Sequence, residues 1–169
     1  MSLPDAVAKK RIVLAAVDAS TMREQVAQQA ATLALSMDGA GLHLVHVIDT
    51  LPTMVGLGSS PYLASSHARP LQQVWSELGH LLVAAERRGL STTGHVALGH
   101  PLRKILQLTA DLEADVLVIG THDPGKLEHL LFGSVAEELV RKAPCPVFVV
   151  RPKRLAHPAV PDLLPPCSA

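Results

Sequence analysis

The residues with the clearest chemical potential lie between a run of aliphatic residues and a helical pattern. Gly120, Thr121 and His122 follow the aliphatic run, and Gly133 and Ser134 open the helical pattern. Glycine lets a ligand approach the backbone closely, and a serine hydroxyl can donate to a phosphate oxygen. Unpaired N–H groups at a helix start also favour an anion. These residue types in this order predict a phosphate site between a strand and a helix.

Four aliphatic runs and one weaker strand pattern, at residues 91–98, alternate with four segments of helical periodicity, and this alternation predicts the scaffold of the site. The predicted strands cover residues 12–17, 42–48, 91–98, 115–119 and 146–151. Continuous apolar runs are typical of strands buried on both faces, and strands alternating with helices form parallel sheets. The sequence therefore predicts an α/β fold with an open five-stranded parallel sheet and helices on both faces. The apolar pattern alone does not fix the strand order.

The helix starts carry their own signals. The predicted helices begin near Thr21, after Pro70, at Pro101 and at Ser134, and the last ends at 142. The spacing of Thr21 with Glu24 predicts a capping box, as does the spacing of Ser134 three residues before a second glutamate. The second helix is expected to bury one face, formed by Leu71, Val74, Leu78, Leu81 and Ala85.

Composition and charge exclude several classes of function. The chain has 169 residues, of which 48% are hydrophobic but only 2% aromatic, and 15 basic residues balance 15 acidic ones. A chain without a basic field or aromatic platforms is not expected to bind nucleic acid. Cys145 and Cys167 form no CxxC or metal spacing, which is typical of a reducing cytosol. No apolar run approaches a membrane span, so we expect a cytoplasmic protein.

The chain is expected to divide into three parts. Residues 1–10 form a leader, residues 10–152 a single domain, and residues 153–169 a tail with four prolines. Within the domain, residues 49–70 are rich in proline, glycine and serine and are expected to form a long loop. His43 and His46 lie three apart in a predicted strand, so they face opposite sides and do not form a ligand pair.

Residues 114–151 resemble the C-terminal half of the universal stress protein domain. The ATP-binding branch of that family has a glycine, two residues, a glycine, nine residues, and then glycine with serine or threonine. This chain keeps the spacing and both ends, Gly120 and Gly133–Ser134, but Asp123 replaces the middle glycine and Pro124 the usual arginine. The resemblance implies strand order 3-2-1-4-5, as in adenine nucleotide α-hydrolase-like folds, with the ligand between the first and fourth strands.

The resemblance also implies a set of nucleotide-binding residues. Asp18 would contact the adenine or ribose, and Val47 the adenine. The full implied set is Asp18, Val47, Ile119, Gly120, His122, Asp123, Gly133, Ser134 and Val135. Alternatives stay open for several of these residues. Asp18 could instead cap the first helix, Gly120 could only relieve the turn after its strand, and Ser134 could be a capping serine that needs no ligand.

Asp123 decides between two forms of the hypothesis. A carboxylate ~4–5 Å from a phosphate charge costs about 3–4 kcal/mol at an effective dielectric near 20. A bridging Mg²⁺ would reverse that sign, or Lys126 and Gly125 could rebuild the phosphate cradle within a loop of unchanged length, and ATP or AMP would then bind. Otherwise the chain would be an adaptor that acts through protein partners without a nucleotide. The resemblance also implies that either form would be a homodimer joined through strand 146–151, and an open apolar edge strand favours such pairing. An enzyme of the nucleotide α-hydrolase type is a third, less favoured hypothesis, because no nucleophile or general base is marked.

Overall fold

The computed structural model describes residues 10–49, 70–121 and 134–152. Strands and helices alternate along these residues. The strands are β1 Ile12–Ala16, β2 Gly41–Ile48, β3 Thr92–Leu98, β4 Val116–Gly120 and β5 Val147–Val150. The helices are α1 Arg23–Ser36, α2 Leu71–Glu86, α3 Pro101–Asp111 and α4 Ser134–Lys142. In these ranges, no helix is both long enough and apolar enough to cross a membrane.

The five strands form one sheet in the order β3-β2-β1-β4-β5. Each neighbouring pair is parallel, and β1 lies between β2 and β4, with Val13 opposite both Leu42 and Val116. The predicted α/β fold and the strand order 3-2-1-4-5 are therefore confirmed. The boundaries differ from the prediction by about one residue, as is usual at strand ends.

Alternating side chains along each strand divide the interior into two aliphatic cores. Val13, Ala15 and Val118 face one core together with α1 and part of α2. Leu14 and Leu117, one residue along the same strands, face the other core together with α3 and α4. Both faces of the central strands are buried, which explains why these strands are continuous apolar runs in the sequence.

Two predicted details of the helices are wrong. Helix α1 begins at Arg23 with Met22 at its cap position and no side-chain cap, so the Thr21–Glu24 capping box does not form. Instead, the hydroxyl of Ser20 accepts from the Met22 N–H at 3.2 Å, which satisfies a donor just before the helix. Leu71 is 52% exposed rather than buried, because it is the first residue of α2 and lies at the margin of the helix–sheet contact.

Two helices begin at the predicted residues, α3 at Pro101 and α4 at Ser134. Proline suits the first turn of α3 because the N–H that it lacks would have no helical partner. The residue before Ser134 lies outside the described part of the chain, so the second capping box remains a prediction.

Helix α1 packs closely against strand β4 at Gly120. A Cβ atom added to Gly120 would lie 2.9 Å from Val26 Cγ2 and 3.7 Å from Met22 Cβ. Valine is stiff about its χ1 torsion, so its methyl group cannot move aside without changing rotamer. Glycine at this position is thus explained by the packing of α1 on the sheet.

We expect Gly120→Ala to lower the free energy of unfolding by about 1–3 kcal/mol, because it overpacks this contact. In a Val26→Ala background the same substitution should leave the free energy of unfolding unchanged, because the Val26 methyl group that clashes with the new Cβ is absent. Gly79→Ala is the matched control, because a Cβ there meets nothing within 4 Å in the middle of α2. Urea denaturation measures all four variants, and an equal cost of Gly120→Ala in both backgrounds would contradict the packing explanation.

Candidate functional site

A cavity of about 210 Å³ opens at the carboxyl ends of the central strands β1 and β4. The chain leaves β1 toward α1 on one face of the sheet, whereas α3 and α4 pack on the opposite face. The helices diverge to opposite faces at this point, so none of them covers the ends of both strands, and a crevice forms between the strand ends. This is the position at which open parallel sheets bind ligands.

The cavity has an apolar wall and a polar rim. The wall is formed by β2, α3 and α4, through Val45, Val47, Pro101, Ile105, Ala136 and Leu139. The rim includes Asp18 and Ser20 after β1, and Gly120 and Thr121 at the end of β4. An apolar wall with a few convergent polar groups suits a flat organic ring that carries polar substituents.

The structure brings five of the nine predicted site residues to this cavity. Asp18, Val47, Ile119, Gly120 and Val135 all line it, although they come from three separate elements and the turn after β1. Ser134 lies beside them as the exposed first residue of α4 but does not line the cavity itself. The remaining three, His122, Asp123 and Gly133, lie outside the described residues.

Asp18 fixes the turn between β1 and α1. Its Oδ1 accepts from the backbone N–H of Ser20 at 2.9 Å, and the Ser20 hydroxyl in turn accepts from Met22. Asp18 therefore does not cap α1, whose cap residue has no side-chain hydrogen bond. The carboxylate still lies on the rim of the cavity, and a carboxylate has more acceptor sites than this single bond uses. It can therefore support the turn and accept from a ligand at the same time.

Thr121 is held where β4 meets β5. Its backbone N–H donates to the Val150 carbonyl at 3.0 Å, and its side chain is buried. This bond continues the parallel pairing of β4 and β5 by one residue past Gly120. The rim of the cavity at this point is thus set by the sheet itself rather than by a separate loop.

Sequence reasoning missed the contributions of α1 and α3 to the cavity. Met22 and Val26 from α1, and Pro101 and Ile105 from α3, line it together with the predicted residues. The sequence did mark Pro101 as a helix start, and a helix that follows the third strand must begin at the carboxyl edge of the sheet. That inference would have placed Pro101 near the site.

The fold and this site define an open parallel α/β protein with a cavity at the switch point of its sheet. The protein-family model for the universal stress protein family matches residues 10–151. The chain is also 31% identical over 149 residues to universal stress protein MJ0531 of Methanocaldococcus jannaschii. The aligned residues cover 86% of this chain and 84% of the relative. The chain therefore belongs to the universal stress protein family.

Solved structures share the fold. Hypothetical protein MJ0577 superposes with a TM-score of 0.70 at 21% identity, over 86% of this chain and 98% of that one. A universal stress protein in complex with cAMP gives a TM-score of 0.62 at 18% identity, over 84% and 97% of the two chains. The universal stress protein of Archaeoglobus fulgidus in complex with dAMP gives 0.57 at 22% identity, over 83% and 96%.

We expect Asp18→Ala to lower the free energy of unfolding by about 1 kcal/mol, because the Ser20 N–H loses its acceptor. Asp18→Asn keeps an acceptor oxygen at the same position, so its free energy of unfolding should differ from that of the wild type by no more than about 0.5 kcal/mol. Urea denaturation of both variants measures the difference. Equal stability of the alanine variant and the wild type would show that the turn does not depend on Asp18.

Proposed function

We propose that this universal stress protein binds an adenine nucleotide in the cavity between β1 and β4. The adenosine part lies against Val47 and Asp18, and the phosphates extend past Gly120 toward the start of α4. The observation that carries the proposal is the convergence of Asp18, Val47 and Gly120 on one cavity at the switch point of the sheet. The bound cAMP and dAMP of two proteins with the same fold support it.

The start of α4 supplies the anion-binding part of this proposal. Helix α4 begins at Ser134, and Val135 and Ala136 in its first turn line the cavity. The first N–H groups of a helix have no internal partner, and the helix dipole is positive at that end. Phosphate oxygens placed there would accept these N–H groups, and the Ser134 hydroxyl can donate as well.

Asp123 is expected to make nucleotide binding depend on a cation. Its carboxylate stands in the sequence where the family's nucleotide-binding members have a glycine, between Gly120 and Gly133. A Mg²⁺ ion shared by this carboxylate and the phosphates would convert a repulsion into an attraction. We therefore propose that ATP binds as its magnesium complex, and that AMP, with one phosphate, depends less on the metal.

Calorimetric titration of ATP and AMP, with and without Mg²⁺, tests the proposal. We expect ATP to bind in the micromolar range with Mg²⁺ and far more weakly without it. Asp18→Ala should weaken the binding of both nucleotides. Asp18→Asn retains an acceptor for the Ser20 N–H, so it separates the loss of the carboxylate charge from the loss of the turn. Absence of heat up to millimolar ATP in either buffer would refute nucleotide binding.

We expect Asp123→Gly to raise the affinity for ATP in the absence of Mg²⁺ by about a hundredfold, because it removes up to about 3 kcal/mol of repulsion. With Mg²⁺ present the same substitution should change the affinity little or lower it, since the metal loses a ligand. Pro124→Ala is the matched control, because it changes the residue next to Asp123 without changing the charge. An unchanged affinity without Mg²⁺ would show that the Asp123 carboxylate points away from the phosphates.

Strand β5 supports a second element of the proposed function, a homodimer. Phe148 is 43% exposed in the middle of this strand, and within the described residues β5 pairs only with β4. An apolar edge strand invites pairing, and a two-fold partner closes it symmetrically. We propose that two copies join along β5, and that this assembly contacts protein partners in the adaptor form of the hypothesis. A cytoplasmic location stays a prediction.

We expect Phe148→Lys to convert the dimer into a monomer, because it places two like charges near the two-fold axis. Leu35→Lys is the matched control: Leu35 is 42% exposed, but on α1. Sedimentation equilibrium over a range of concentrations measures the mass of each variant. A dimer that survives Phe148→Lys and dissociates with Leu35→Lys would place the interface on α1 instead.

A further inference from the structure

Two histidines on neighbouring strands lie in direct contact, away from the cavity described above. His43 Nδ1 of β2 and His95 Nε2 of β3 are 2.9 Å apart. The ring planes are 15° apart and the centroids 5.2 Å apart. Since two nitrogen atoms are so much closer than the centroids, the rings meet edge to edge, with one N–H donating to the other ring's lone pair.

The sheet register creates this contact. His43 lies opposite Thr93, and Val45 opposite His95, so the two histidines are diagonal neighbours on one face of the sheet. His46 lies on the other face, where its Nδ1 contacts the Val17 carbonyl at 2.9 Å. The prediction that His43 and His46 do not pair is therefore confirmed. The partner of His43 depends on the β2–β3 register, which the sequence does not reveal.

We propose that His43 and His95 form a binding site for one divalent transition-metal ion of the zinc class. Neutral imidazole nitrogen is a preferred ligand of zinc, copper and nickel, and two such nitrogens already face each other here. Both rings are half-buried, and β3 is the outermost strand of the sheet, so an ion reaches them from solvent. The part of the chain that the structure describes offers no cluster of three or more histidine, cysteine or acidic ligands. Water would complete the coordination.

The geometry needs little change. Zinc–nitrogen bonds of about 2.0–2.1 Å in a tetrahedral arrangement separate two ligand nitrogens by about 3.3 Å. The observed separation of 2.9 Å between Nδ1 of His43 and Nε2 of His95 must therefore increase by only about 0.4 Å. The rings must also turn so that both lone pairs point at the ion.

The proton now shared by the two rings has a defined destination. When both histidines are neutral, each ring carries one proton, and one of these lies between Nδ1 and Nε2. As the ion enters, that proton moves through water to the other nitrogen of the same ring. The pair therefore binds the metal by a change of tautomer and releases no net proton above the histidine pKa values.

The surroundings of both rings favour their neutral form. Burial lowers the pKa of His43, and the charges of His95 and Lys10 lower it further. Burial also lowers the pKa of His95. Because a histidine must be deprotonated to bind a metal, both shifts act in favour of metal binding. Lys10 has two opposite effects on metal binding. Its positive charge lowers the pKa of His43, which favours binding, and it also repels the metal ion, which opposes binding.

Titration of the full chain with ZnCl₂, followed by imidazole ¹⁵N NMR at pH 7.5, tests the site residue by residue. Such resolution matters because the chain has nine histidines. We expect the ring nitrogens of His43 and His95 to shift together with the first equivalent. His43→Gln and His95→Gln should each abolish the shift of the other ring, and Lys10→Gln should tighten binding several-fold.

His80→Gln is the matched control, because His80 lies on α2, where it lines a groove against α1. It should leave the response of His43 and His95 unchanged. Amide spectra establish that every variant is folded before the metal is added. The proposal is overturned if both rings stay unshifted up to millimolar zinc, or if His95 still responds in folded His43→Gln protein.

Discussion

The contact between α1 and the centre of the sheet is the constraint on which the rest of the structure depends. The buried face of α1 consists of Val26 and four alanines, Ala27, Ala30, Ala31 and Ala34. Short side chains let the helix lie close to β1 and β4, and Gly120 removes the one Cβ that would collide with Val26. Because this contact is tight, the start of α1 and the end of β4 are fixed relative to each other, and they form one side of the cavity.

The position of the cavity follows from that contact and from the reversal of strand order around β1. With α1 held on one face and with α3 and α4 on the other, the carboxyl ends of β1 and β4 remain uncovered between them. Asp18 then serves the turn and the rim at once, because its carboxylate accepts from Ser20 beside the opening. The proposed nucleotide uses features that the fold needs for its own stability.

The sequence predicted the central strands well because parallel strands buried on both faces must be continuously apolar, whereas β3, which is buried less, gave a weaker pattern. It predicted the helix starts less well, since capping depends on the exact turn: Ser20, not Thr21, satisfies a donor before α1. The strand order came from the family resemblance, because apolar periodicity contains no information on which strands are neighbours. Leu71 shows the same limit, since helical spacing does not reveal where the helix leaves the sheet.

For the sites, the sequence identified residues that carry chemistry but not all of those that meet in space. Asp18, Val47 and Gly120 were expected together and line one cavity, whereas Ile105 of α3 lines the same cavity but was not predicted as a site residue. The His43–His95 pair was missed altogether, because 52 residues separate the two and only the register joins them. Motifs with fixed spacing can be read from a chain, but contacts between neighbouring strands require the pairing.

The central claim is that an adenine nucleotide occupies the cavity between β1 and β4. Amide NMR spectra recorded during a titration with Mg²⁺-ATP test this location directly. The account predicts that the largest shifts occur at Asp18, Gly120, Thr121 and Val135, while amides at the β2–β3 edge around Thr93 stay unchanged. Shifts that concentrate in the groove between α1 and α2, or no shifts at millimolar ATP, would contradict it.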